Sequence, residues 1–197
     1  SSTFHYGDTE EEQKKHLLLK SIAPLGSVST FSYDNFGNPL TSQVQNADTN
    51  PSYFIRSETS YTNDGNYVTE QKDARGKVVR TETDPQRGTT TSVTDAKGQT
   101  VTYEYDNLRR IVKTSANVGA KEGIPTVHNE YTYDAKRGNL VEIRHNTDGN
   151  AANDVVYTFE QDALGRQTAV KVGNQTLSQS QYQNDPTKPN FGTLTAT

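Results

Sequence analysis

The feature that most constrains this chain is a corner that repeats. Asp34 to Gly37, Asp73 to Gly76, Asp95 to Gly98 and Asp162 to Gly165 each place an aspartate three residues before a glycine. At the first position of a type I turn, the short carboxylate accepts a backbone N–H. At the fourth, glycine adopts the positive φ of the bulge that follows. Asp84 to Gly88 and Asp134 to Gly138 carry one extra residue, which predicts four-residue loops, and Asn63-Asp64-Gly65 reads as a shortened version. These corners fix where the chain reverses.

What lies between the corners is strand. In Gln99-Thr-Val-Thr-Tyr-Glu-Tyr-Asp-Asn-Leu-Arg-Arg-Ile-Val-Lys113, Val101, Tyr103 and Tyr105 alternate with Thr100, Thr102 and Glu104. That is the period-two signature of a half-buried strand, and the β-branched and aromatic content opposes a helix. The segment therefore reads as strand, tight turn and return strand. Asp73, Asp84, Asp95 and Asp106 are 11 residues apart, the length of one strand plus one turn, so the middle of the chain is expected to be a tight meander. Asp106, Asp134 and Asp162 are 28 apart, leaving room for a second turn at the far end of each hairpin, around Asn117–Gly123 and Thr147–Asn150.

The pattern Tyr-x-Tyr-Asp-x-x-Gly recurs as Phe31-Ser-Tyr33-Asp34-Asn-Phe-Gly37, as Tyr131-Thr-Tyr133-Asp134-Ala-Lys-Arg-Gly138, and as Tyr157-Thr-Phe159-Glu-Gln-Asp162-Ala-Leu-Gly165. It resembles the YD repeats, also called Rhs repeats, of bacterial wall-associated and polymorphic-toxin proteins, insecticidal toxin complexes and teneurins. The copies extend from about Ser27 to the C-terminus. Two departures stand out. Arg109 occupies the glycine position after Asp106, and Asp73 to Thr94 lacks the Tyr-x-Tyr pair, which leaves the register of those strands open.

The expected fold class is all-β: repeated antiparallel hairpins in a curved, spiralling sheet, with a short N-terminal helix. Composition agrees, because only 30% of residues are hydrophobic and the mean hydropathy is -0.90, too little apolar matter for a thick core. Residues 27–197 are assigned to the repeats and 1–26 to a separate N-terminal segment. Within it, Thr9 and Glu12 have capping-box spacing, and Lys14, Lys15 and Lys20 follow, so a helix is expected over about 8–22. Leu17, Leu18 and Ile22 would form its apolar face, packed on the first hairpins. At the other end, Tyr182 to Gly192 reads as a turn with an enlarged loop, and Thr193 to Thr197 as a return strand.

Candidate chemistry was weighed residue by residue. The aspartates sit at turn positions, where Asx side chains bond locally, rather than in catalytic pairs. The tyrosines share a face with Val101, Ile111 and Leu140, so packing is favoured over a sugar-stacking platform. Asp148-Gly-Asn150-Ala-Ala-Asn153-Asp154 resembles a calcium loop but has Ala152 at a ligand position, Asn153 where glycine is required and no closing glutamate. His5, His16, His128 and His145 lack zinc-ligand spacing, and there is no cysteine for thiol chemistry or disulfides. No nucleophile elbow or phosphate-binding glycine loop occurs. Asn174-Gln-Thr176 is formally a glycosylation acceptor. No catalytic, cofactor-binding or metal-binding residue is assigned, and no cofactor is expected.

The net charge of -4 comes from interspersed residues with no basic stripe, which disfavours nucleic acid as a partner. The longest aliphatic run, Leu17 to Leu19, is too short to span a bilayer. The chain has no methionine and reads as a piece of something longer, with open sheet edges that favour self-association. The resemblance implies a non-enzymatic role at a bacterial cell surface or in a secreted machine: part of a hairpin shell around a C-terminal toxin, partnered by the rest of that protein. The shell-forming relatives often end in a self-cleaving aspartyl motif, and Asp185-Pro186 lacks its Gly-Leu continuation. The alternatives are an adhesion module for cell-surface glycan or a receptor, and, less favoured, a polysaccharide-acting β enzyme.

Overall fold

The computed structural model describes residues 1–46, 54–117 and 126–196. It divides into two compact units, residues 1–98 and 99–197. In the first unit the order is β1 (Thr3–His5), α1 (Glu10–Lys14), β2 (Lys20–Ile22), β3 (Val28–Tyr33), β4 (Pro39–Gln45), β5 (Phe54–Tyr61), β6 (Val68–Lys72), β7 (Val78–Asp84) and β8 (Thr89–Thr94). Every strand pairs antiparallel with the next. The second unit continues the plan with β9 (Thr100–Tyr105), β10 (Ile111–Asn117), β11 (Val127–Tyr133), β12 (Leu140–Asn146), β13 (Val155–Gln161), β14 (Gln167–Val172) and β15 (Gln175–Gln179). A ribbon of β16 (Gln181–Tyr182) and β17 (Leu194–Ala196) follows.

Each unit is a meander one layer thick. Among the described residues Ala169, 5% exposed, is the one buried apolar side chain. Stability must therefore come from cross-strand pairs and from the turns. The two faces differ in kind. One carries charge ladders, in which Lys113 Nζ lies 3.3 Å from Glu130, Arg56 Nε 3.0 Å from Glu58 and Arg80 Nε 3.0 Å from Glu70. The other carries the rings, with Tyr131 opposite Ile143, Ile143 opposite Tyr157, and Tyr157 opposite Val172. Alternation along each strand sorts the residues to these faces, as the sequence pattern requires.

The N-terminal helix is shorter than the expected 8–22. The capping box forms, with Glu12 N–H donating to Thr9 Oγ1 at 3.2 Å and Thr9 N–H to Glu12 Oε2 at 3.1 Å. α1 nevertheless ends at Lys14, and His16 turns left-handed at φ 53°. Leu17, Leu18 and Ile22 do not line a helix. They run extended and half-buried, with Leu19 N–H bonded to the His5 carbonyl and Phe31 N–H to that of Leu19. A meander offers no second layer for an amphipathic helix to cover, whereas an extended leucine segment is taken up directly by strand pairing. The boundary expected between residues 26 and 27 falls inside the β2–β3 turn, closed by Ala23 N–H to the Ser27 carbonyl at 2.8 Å.

The register left open around Asp73–Thr94 sets Glu70 opposite Arg80 and Arg80 opposite Thr94, and it shifts at a bulge between Glu82 and Thr83 next to the corner. Of the far-end turns, Thr147–Asn150 leads into a 3-10 turn at Ala151–Asn153 between β12 and β13. The turn expected around Asn117–Gly123 lies outside the described residues beyond Asn117.

Candidate functional site: the turn edge

Because successive strands run antiparallel, the corners fall alternately on two edges of each sheet. One edge collects Asp34, Thr62 and Asp84 in the first unit, and Asp106, Asp134, Asp162 and Asp185 in the second. Asp73 and Asp95 lie on the opposite edge. The 11-residue series thus alternates between edges.

Each corner is built from the same few bonds. Asp106 Oδ1 accepts the N–H groups of Leu108 at 2.8 Å and Arg110 at 2.9 Å; Asp162 Oδ1 accepts those of Leu164 and Arg166; Asp34 Oδ1 accepts those of Phe36 and Asn38. The carboxylate replaces water for backbone donors that a reversing chain cannot pair. Glycine then takes positive φ, 90° at Gly37 and 79° at Gly165. Arg109 adopts the same left-handed geometry at φ 62° with a Cβ in the way, a strain of about 1 kcal/mol. The corner at residues 62–65 is not shortened. Thr62 takes the aspartate's position, with Gly65 N–H on its carbonyl at 2.8 Å, and Asp64 sits inside the turn.

The bonds also run between corners. The residue after the glycine position bonds the free oxygen of its own aspartate: Asn38 Nδ2 to Asp34 Oδ2 at 3.0 Å, Arg110 Nε to Asp106 Oδ2 at 2.6 Å, Arg166 Nε to Asp162 Oδ2 at 2.7 Å. It also reaches the next hairpin. Asn38 donates to the Gly65 carbonyl at 2.7 Å, Arg110 lies 4.3 Å from the centre of the Tyr133 ring, and Arg166 lies 4.4 Å from that of Tyr182. Guanidinium over an aromatic face is favourable by about 1 kcal/mol at such partly exposed sites. A side chain at Gly65 would strike the Phe36 ring, its Cβ falling 2.4 Å from Phe36 Cδ2, so this glycine serves close approach as well as turn geometry.

The last residue of the strand that enters the corner completes the connection. Tyr61 Oη donates to the Pro39 carbonyl, Tyr133 to that of Ile111 at 2.8 Å and Tyr182 to that of Gln167 at 3.0 Å. In each case the acceptor is the residue that opens the return strand of the preceding hairpin. Gln161 makes the same bond with its amide, Nε2 to the Leu140 carbonyl at 3.0 Å. Tyr33 bonds the Leu18 carbonyl at 3.0 Å, so the N-terminal segment stands in for a preceding hairpin. Sequence reading identified the tyrosines as packing residues but not as donors. The signal was the fixed place of Tyr33 and Tyr133 one residue before the aspartate.

The carboxylates of Asp34, Asp106 and Asp162 are held below their ordinary range. The Arg110 backbone N–H and then its side chain lower Asp106, and the Arg166 side chain leads for Asp162. At Asp34 burial pushes up, but bonds from Asn38 and Phe36 outweigh it. Burial raises the Tyr133 hydroxyl. None of this is poised for proton transfer near neutrality, since anionic carboxylates and neutral phenols are what the corners require.

The other candidates are placed as follows. In the 148–154 loop, Asp148 Oδ1 accepts Asn150 N–H, its Oδ2 accepts Asn153 Nδ2, and Asn150 Oδ1 accepts Ala152 N–H, so these oxygens are turned to the loop's own donors. His5 lies 3.4 Å from Asp8, His128 3.9 Å from Glu130, and His145 bonds Asn129; among the described residues no three His, Asp or Glu side chains gather as a metal site. Asn174 is exposed at the β14–β15 turn. Among the described residues no helix is long and apolar enough to cross a membrane.

This is the class of single-layer, serially connected antiparallel hairpin arrays, latched corner to corner. Residues 86–120 match the family described as RHS Repeat. It superposes on part of the TcdB2-TccC3 crystal structure with a TM-score of 0.62, at 16% identity over 92% of this chain and 10% of that one. The Photorhabdus luminescens Tc holotoxin pore gives 0.57, at 15% identity over 87% and 10%. The likeness is one of fold, and this chain spans about a tenth of the length of those chains. No curated protein sequence matches it.

Proposed function

We propose that this segment is a non-catalytic wall element of a secreted or cell-surface YD/Rhs protein, contributing hairpins to a shell that encloses or presents a C-terminal effector. Its partners are then the rest of that polypeptide and the effector. The observation that carries the reading is the recurrence of one bond, from the last side chain of the strand entering a corner to the preceding hairpin, at Tyr61, Tyr133, Gln161 and Tyr182. Among the described residues, the repeated corner carboxylates bond within their own turns and the repeated strand-end side chains bond to the preceding hairpin, an arrangement that suits a wall. The solved Tc toxin structures share the fold and support the same reading.

The test uses the full polypeptide that carries this segment. Deleting residues 106–133 removes one 28-residue repeat and rejoins Tyr105 to Asp134, preserving the Tyr-Asp corner. The effector is expected to become accessible to added protease while both remaining parts stay folded. Unchanged protection of the effector would overturn the proposal.

A further inference from the structure

In the second unit the cations divide sharply by position. On the sheet face Lys113 pairs with Glu130, Arg144 with Glu142 and Asp154, and Lys171 with Glu160. On the turn edge, Arg109, Lys136 and Lys188 are exposed and have no ion-pair partner among the described residues, while Arg137 donates only to the carbonyls of Asp162 and Ala163. Arg109, Arg110, Lys136, Arg137, Arg166 and Lys188 make six cations along this edge against four aspartates, 106, 134, 162 and 185, in a chain of net charge -4. Those aspartates accept N–H groups from within their own turns, so the outward charge is positive.

The same edge exposes apolar side chains. Leu108 is 72% exposed, Leu164 61% and Phe191 45%. Two clefts flank the Leu164 turn. One, of about 440 Å³, is lined by Lys136, Arg137, Val141 and Phe159; the other, of about 400 Å³, by Leu164, Arg166, Pro186 and Phe191. Arg109 sits beside Leu108 in the Asp106 corner, in the left-handed conformation that glycine would occupy without strain. Backbone strain of this kind is a pointer to function.

We propose that the turn edge of residues 106–191 docks an acidic, extended polypeptide segment bearing apolar side chains. Successive hairpins place their corners about 10 Å apart, so Leu108 and Leu164 are about 20 Å apart with Lys136 between. That span equals about six residues of extended chain, an even number, so alternation puts both apolar anchors of the segment on one side. Acidic residues between them meet the unpaired cations. Concave clefts at this edge favour a polypeptide with projecting side chains over a flat anionic bilayer. The proposal is separate from the wall role, because the side chains it is tested on, Leu108, Arg109, Lys136 and Leu164, make none of the corner-to-corner bonds described above.

The test measures binding of the synthetic peptide Leu-Ser-Glu-Ser-Glu-Ser-Leu, which sets both leucines and both glutamates on one side of an extended chain, to the intact 197-residue chain by fluorescence anisotropy. The same peptide with lysine in place of glutamate, the same with serine in place of leucine, and phosphatidylglycerol vesicles serve as comparisons. The glutamate–leucine peptide is expected to bind saturably and to weaken with salt. Affinity should fall about tenfold in Leu108→Ser/Leu164→Ser and by a similar factor in Arg109→Gly/Lys136→Ser. All four positions are exposed, and circular dichroism checks that each variant is folded. Absence of saturable binding, equal binding of the lysine–leucine peptide, indifference to both variants, or binding of the vesicles alone would each overturn the proposal.

Discussion

The hairpin β7–β8 and the hairpin β11–β12 have the same connectivity and the same corner, yet they are held in different ways. In β11–β12, Tyr133 precedes the aspartate, its hydroxyl on the Ile111 carbonyl and its ring under the Arg110 guanidinium. In β7–β8 the corresponding residue is Thr83. Here stability rests on Ser92 Oγ donating to Glu82 at 2.9 Å, on the Arg80–Glu70 pair, and on the Asp84 turn. One hairpin is latched to its neighbour by a ring, the other by polar pairs, one across its own strands at Ser92–Glu82 and one to β6 at Arg80–Glu70. A repeat array therefore needs the corner everywhere and the ring only where a neighbour offers a carbonyl and a cation.

The largest expected effect breaks the ring latch. Tyr133→Ala should lower stability by about 3 kcal/mol, through the lost ring and the abandoned carbonyl, whereas Thr83→Ala should cost below about 0.5 kcal/mol; urea denaturation of the two variants compares them directly. Equal losses would erase the distinction. Next, Gln161→Ala should cost about 1 kcal/mol, and Gln161→Tyr should stay within about 0.5 kcal/mol of the parent, because what the position needs is a donor of sufficient reach. A smaller effect of opposite sign is expected at Arg109→Gly, which relieves the left-handed strain and should raise stability by about 1 kcal/mol.

Acid sharpens the comparison further. Asp34, Asp106 and Asp162 have folded-state values below their unfolded ones. Their contribution is therefore fully present above the ordinary carboxylate range, near neutrality, and is lost as pH falls through the depressed folded values. The melting temperature should hold between pH 7 and 5 and drop below about 4. Asp106→Asn should flatten that drop. A variant with the parent's acid profile would show that Asp106 contributes nothing through its charge.

Much of this was legible in the sequence. Asp-to-Gly spacing located the reversals, and alternation separated the tyrosine face from the charged face, because both are local rules acting over a few residues. The shortened turn at 63–65 was misread because Thr62 can supply the carbonyl and hydroxyl that the pattern assigned to aspartate. The helix was overextended because capping signals mark where a helix begins but say little about whether any layer exists to bury its leucines. The latch escaped notice for another reason. Its acceptors, such as the carbonyls of Ile111 and Leu140, are backbone groups 21 or 22 residues away that only the strand register brings into reach. Gln161 was hidden doubly, since it replaces the tyrosine that defines the motif while keeping its bond.

The central claim is that each hairpin is secured locally, by its corner and by the side chain reaching back to the hairpin before it. Hydrogen exchange on Tyr133→Ala tests it most directly. Amide protection should fall across β9 to β12, residues 100–117 and 127–146, and persist in β3 and β4, residues 28–45. Protection lost uniformly through both units, or retained in β10 and β11, would contradict it.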